Sequence, residues 1–171
     1  MTPDRMRKLA RALDLVAEKD RLELARQEAI EQMRREAAVE LYGICRRFVD
    51  ELNSLMDQVK LDLSPGEYAC ANYRDTAPNL FQINLNGRLI QISFKPTDTV
   101  TSIDNYRIPY TLEGNVNSYN QQLLEHDEIR DQKIYYCLER GGNHWRYQEG
   151  GTGRQGVVDS DYLAALLEKL T

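Results

Sequence analysis

Apolar side chains recur along the first third of the chain at intervals that suit a helix. Ile30, Met33, Ala37, Leu41, Ile44, Phe48, Leu52, Leu55 and Val59 are spaced 3-4-4-3-4-4-3-4, an eleven-residue repeat. That repeat averages about 3.6 residues per turn, so the stripe stays on one side of a nearly straight helix. Cys45, Val49 and Met56 widen it, as expected of a helix lying on a broad surface such as a sheet. Met6, Leu9, Leu13 and Val16 form an earlier stripe, and the polar run Ala17 to Arg21 separates the two. Thr2 and Pro3 make a helix start, and from there to Leu63 the only glycine is Gly43. The expectation is a long N-terminal helical region, broken or bent into two near residues 17–21.

Beyond Leu63 the period changes from helical to alternating. In Asn79 to Phe94, Asn86-Gly87 tolerates the positive φ angles of a two-residue hairpin turn. Pairing outward sets Ile83 against Ile90 and Phe81 against Ile92 on one face, with Gln82 against Gln91 on the other. Tyr106, Ile108, Tyr110 and Leu112 alternate as a third strand, which Pro109 places at a sheet edge. Ser118 to Gln121 reads as a capping box opening a short helix through Asp127. Two further strands, Lys133 to Glu139 and His144 to Gln148, meet around Gly141-Gly142. Asp159 or Ser160 caps a last helix with Leu163, Leu166, Leu167 and Leu170 on one face. The fold class is therefore α+β: the helical region on a roughly five-stranded antiparallel sheet, a short helix between strands 3 and 4, and a C-terminal helix. Residues 1–63 form the helical part and 64–171 the sheet part of one cooperative domain.

Charge narrows the function classes. The 171 residues carry a net charge of −5. Residues 1–63 hold 12 basic and 13 acidic side chains and the remainder 10 and 14, so neither part has the positive excess that nucleic acid requires. Cys45, Cys70 and Cys137 are odd in number and scattered, which suggests reduced thiols. No run suits a signal peptide or membrane span, and the expected location is cytoplasmic, with no membrane partner.

The chemical candidates are few. Gly151, Gly153 and Gly156 fit the G-x-G-x-x-G pattern, but the last helix starts too late for its N-terminus to face a pyrophosphate. A connector explains them better, and no cofactor is expected. A two-residue turn at Gly141-Gly142 would set Glu139 opposite His144 and Cys137 opposite Arg146, an orienter, base and nucleophile on one face. Ile134, Tyr136, Leu138, Trp145 and Tyr147 on the other face are core. The open sheet face would offer Gln82, Asn84, Gln91, Arg107, Thr111, His144 and Arg146 to a small ligand. His126 lies among carboxylates without a second nitrogen ligand, so no metal is expected. Nine of the ten tyrosines fall between Tyr68 and Tyr162, as sheet propensity explains.

A mismatch of lengths orders these readings. The stripe from Ile30 to Val59 spans roughly 45 Å as helix, whereas five strands make a sheet only about 24 Å across. Exposed apolar surface of that kind marks a partner site. The first expectation is a non-enzymatic interaction or self-association module, adaptor- or chaperone-like. Its contacts would be Leu22, Ala25, Ala29, Ile30 and Met33, and its partner another protein or a second copy, a dimer first. The alternatives are a small enzyme built on Cys137, His144 and Glu139, and a ligand-binding sheet. Element order and acidic pI are similar to the layout of the small dimeric chaperones of bacterial type III secretion, a likeness that no motif carries.

Overall fold

A computed structural model describes residues 2–123 and 129–171. The chain divides into two compact units, Met1–Met33 and Arg34–Thr171. A single helix, α1, runs from Pro3 to Leu55, 53 residues in all. The expected break near residues 17–21 does not occur. Ala, Glu, Lys and Arg are strong helix formers, and only the apolar face changes there, not the backbone. Arg21 adds two hydrogen bonds back to Glu18 one turn earlier.

The helix also ends earlier than expected. Lys60 Nζ donates to the carbonyls of Asn53 and Met56, and the Asn53 amide exchanges two hydrogen bonds with the backbone of Leu61. These close the orphan carbonyls of the last turn and send Leu61 and Leu63 into the core. Val59 is left outside the helix and partly exposed.

The sheet has seven antiparallel strands in chain order, not five: β1 (Asp62–Ser64), β2 (Asn79–Leu85), β3 (Arg88–Pro96), β4 (Tyr110–Asn120), β5 (Arg130–Cys137), β6 (His144–Glu149) and β7 (Gln155–Val157). The β2–β3 hairpin has the expected register, with Ile83 opposite Ile90 and Phe81 opposite Ile92. Asn86 and Gly87 take φ of 50° and 89° at its turn. β1 and β7 are three residues each, too short to show a period.

β4 corrects two expectations. It starts at Tyr110, pairs with β3 and β5, and is central, so Pro109 precedes the strand instead of lying at an edge. Ser118, Tyr119 and Asn120 belong to the strand, and the Asn120 side chain accepts from Gln122 N at 3.1 Å where the strand ends. A single 3-10 turn, Gln121–Leu123, follows, and the rest of the expected short helix, His126 included, lies outside the described residues. Asn and Ser are poor strand formers, but a ladder on both edges overrides that preference. The order of elements therefore departs from the three-strand, helix, two-strand layout.

In the second unit, Ala37, Ala38, Leu41, Cys45, Phe48 and Val49 of α1 are buried. Burying such side chains contributes roughly 1.5–3 kcal/mol for each large one. Below them runs an aromatic chain: Tyr42 to Phe81, Phe81 to Phe94 and Phe94 to Trp145, at centroid distances of 5.3, 5.4 and 5.3 Å. Trp145 Nε1 donates to the Ala37 carbonyl at 2.8 Å. α2 (Ser160–Glu168) is capped by the Asp159 side chain, which accepts from Tyr162 N at 2.9 Å. Its Tyr162 stacks on Tyr147 and donates to Gln132.

Gly114 lets β3 and β4 approach closely. A Cβ there would lie 2.1 Å from the Ser93 carbonyl oxygen and 2.8 Å from Phe94 Cβ. Both neighbours are fixed, one as backbone and the other at the root of a buried ring, so neither yields. Gly114→Ala is expected to destabilise the fold by about 3 kcal/mol, read as a lower denaturation midpoint at unchanged m-value.

Candidate functional site

Arg34 fastens the root of the excursion that covers part of the face where chemistry was expected. Its guanidinium donates to Thr111 through the carbonyl at 3.1 Å and Oγ1 at 2.8 Å, and to the carbonyls of Thr99 and Val100 at 3.2 and 3.3 Å. Thr111 Oγ1 in turn donates to the Val100 carbonyl at 2.7 Å. Thr111 is thus buried and tied to the helix, not offered on an open face. The excursion between β3 and β4, residues 97–109, is held at its root by this fan of bonds. Farther along it, Tyr106 stacks on Tyr135 at 4.9 Å and closes a small cluster with Tyr110, Cys137 and Ile108.

That cluster buries the thiol proposed as a nucleophile. Cys137 has no exposed surface, and its S–H donates to the Tyr135 carbonyl at 3.8 Å. Burial pushes the thiol up to about 12, with Glu139 adding to the shift. A nucleophile needs the opposite, a lowered and reachable thiolate.

The hairpin register also differs from expectation by two residues. Cys137 faces His144 and Tyr135 faces Arg146, where Glu139 had been set against His144 and Cys137 against Arg146. The cause lies in the connection. Leu138 N donates to the Pro109 carbonyl, and Glu139 N donates to the Asn143 side chain, so the ladder stops at residues 137 and 144. A two-residue shift preserves the face but changes every partner. Glu139 instead accepts two bonds from Arg146, at 2.8 and 2.9 Å, and this pairing holds its carboxyl below the usual range. His144 is exposed beside Gly142.

The ligand candidates fall in two places. Gln82 and Gln91 bond to one another at 2.8 Å, and Asn84 accepts from Gly87 N in the turn. Arg107 is exposed on the excursion, while His144 and Arg146 are on β6. With β4 and β5 between β3 and β6, the two groups lie roughly 14 Å apart. An open groove of about 610 Å³ on this face lies instead over Lys95, Glu113, Asn115, Lys133 and Tyr135. Lys133 Nζ donates to Asn115 Oδ1 at 2.6 Å within it. Their alternation along β3, β4 and β5 was a usable signal only once β4 was recognised as central.

Gly151, Gly153 and Gly156 belong to the β6–β7 hairpin. Gly153 has φ of 69° and donates to the Glu149 carbonyl, and Glu149 N donates to the Arg154 carbonyl. Gly156 leaves room for the Tyr147 ring, which a Cβ would meet at 2.8 Å. Among the described residues no group of three or more His, Cys, Asp and Glu side chains is arranged to hold a metal ion. No helix among them is long and apolar enough to cross a membrane.

The remaining candidate is α1 itself. Residues 2–29 are all exposed. Met6, Leu9, Leu13, Leu15, Val16, Leu22 and Leu24 each keep about half or more of their surface in water. Of the five expected contact residues, Leu22, Ala25 and Ala29 are exposed, Met33 is half-buried and Ile30 is only 9% exposed. At 100° per residue, Leu22, Ala25 and Ala29 lie on roughly the opposite side of the helix from Met6, Leu9, Leu13 and Val16. Comparison of the chain with models of known protein families, with curated proteins and with solved structures found no match.

Two measurements follow from the burial of the thiols. In the folded protein Cys70, half-buried, reacts with a disulfide reagent, while Cys45 and Cys137 react only on unfolding. Fast labelling of Cys137 would contradict the structure. Cys45 and Cys137 are both raised from 9.0 to about 12. Below pH 9 both states hold the protons. Between about 9 and about 12 the unfolded chain releases protons that the folded chain keeps, so stability falls as pH rises. The midpoint measured against pH should decline across that window, less steeply in Cys137→Ala.

Proposed function

We infer that the protein is a non-enzymatic protein-interaction module, adaptor- or chaperone-like, whose contact surface is the exposed part of α1. The observation that supports this most is the run of seven large apolar side chains between Met6 and Leu24, all in water, on a continuous helix. Single exposed leucines are ordinary, but a dense run of them on one element marks a surface that a partner covers. Helices with one apolar face are recognised by grooves or by other helices through anchors at i, i+3, i+4 and i+7. Met6, Leu9, Leu13 and Val16, at i, i+3, i+7 and i+10, follow the same alternation of three and four. Burial of Cys137 and the engagement of Glu139 by Arg146 draw weight away from the catalytic alternative.

The test is a photo-reactive residue at position 13 of the full chain in cells, with position 80 on the sheet as control, because Leu80 is comparably exposed. Protein adducts are expected at 13 well above those at 80. Introducing Leu9→Asp should abolish them while leaving stability within about 0.5 kcal/mol, as for an exposed site. Equal, background yields at both positions would remove the basis for this reading.

A further inference from the structure

The spacing of the first stripe is symmetric. Met6, Leu9, Leu13 and Val16 reflect onto one another about residue 11, Met6 onto Val16 and Leu9 onto Leu13. Ala10 and Ala12 likewise exchange, while Arg11 lies on the far side of the helix, about 180° from the seam. A second helix running the opposite way about that centre would set an apolar side chain against an apolar side chain in all four layers. The flanking positions Ala10, Ala12 and Ala17 are small, so the two backbones can approach closely. All of these residues are exposed in the helix as it stands.

Charge chooses the direction. Residues 4–10 carry Asp4, Arg5, Arg7 and Lys8, net +2, and residues 12–18 carry Asp14 and Glu18, net −2. A parallel pair would bring +2 against +2 and −2 against −2. An antiparallel pair about residue 11 brings each against its opposite, and like-charge juxtaposition disfavours the alternative. The register is bounded as well. Asp20 and Glu23 occupy the next two seam positions, so sliding the pair by one heptad would bury two carboxylates against Met6 and Leu9.

We propose that the occupant of this seam is a second copy of the same chain, paired antiparallel through Met6, Leu9, Leu13 and Val16, with the twofold axis crossing the seam at the level of residue 11. This rests on the reading of the exposed helix as a contact surface and specifies its partner. Each seam residue then contacts the same surface on the other copy, as a closed twofold interface requires. Four layers are a small interface, so the dimer is weak and depends on concentration.

Sedimentation of the full chain should show the mass rising from one chain to two between about 1 and 100 µM. Leu13→Asp should return it to one chain with an unchanged circular dichroism spectrum. Register is read by disulfide trapping in a Cys70→Ser background, mixing a Leu9→Cys chain with a Leu13→Cys chain. The 9-to-13 crosslink is expected to exceed the 9-to-9 and 13-to-13 products by roughly tenfold, since like positions are offset by about 6 Å along the axis. Predominance of the like-to-like products would overturn the antiparallel pair while leaving the contact surface intact. A strict monomer at 100 µM would overturn self-pairing altogether. In that case adducts at position 13 to a different protein would show the contact reading surviving without it, and their absence would show both failing.

Discussion

The contact on which the rest depends is the seating of α1 on the sheet, marked by the Trp145 indole donating to the Ala37 carbonyl. Ala37 and Ala38 have no exposed surface, and their small size lets the helix backbone come within reach of that indole. Leu41, Cys45, Phe48 and Val49 follow at helical spacing and fill the same face. One turn before the indole contact, Arg34 gathers Thr97, Thr99, Val100 and Thr111. A single stretch of helix thus supplies the core and fastens the excursion between β3 and β4.

That excursion decides what the opposite sheet face is able to do. A bare antiparallel sheet leaves one side wet, and polar residues alternate there for solubility. Here residues 106–108 fold onto part of it, so Tyr135 and Cys137 become a second, smaller core. The polar residues that remain are largely bonded to one another, Gln82 with Gln91, Lys133 with Asn115 and Glu139 with Arg146. Groups already satisfied in pairs are poorly placed to move protons or attack a substrate. α1 between residues 2 and 29 shows the reverse condition, apolar side chains with no cover.

How much was legible before folding depended on the range of the cause. The β2–β3 hairpin could be read in full because Asn86-Gly87 sets the turn and the register follows from it. The Asp159 cap was equally local. The β5–β6 register was not, because Pro109, almost thirty residues upstream, accepts the N–H of Leu138 and ends the ladder early. β4 was misread for a related reason, its Asn and Ser residues being strand only because β3 and β5 lie on both sides. Of the candidate residues, Cys137 and His144 pair across one face of the hairpin, but the thiol is sealed in a cluster with Tyr106, which nothing near Cys137 in the chain announces.

By itself the sequence determined the helix period, the β2–β3 hairpin turn, the Asp159 cap and the charge pattern along α1, because each arises from residues within a few positions of one another. Tertiary structure alone decided that the stripe from Ala37 to Val49 is covered while the one from Met6 to Val16 is not, and that the hairpin thiol is sealed. Those outcomes depend on which distant surfaces meet, and apolar burial is non-directional, so periodicity names a face to be hidden without naming what hides it.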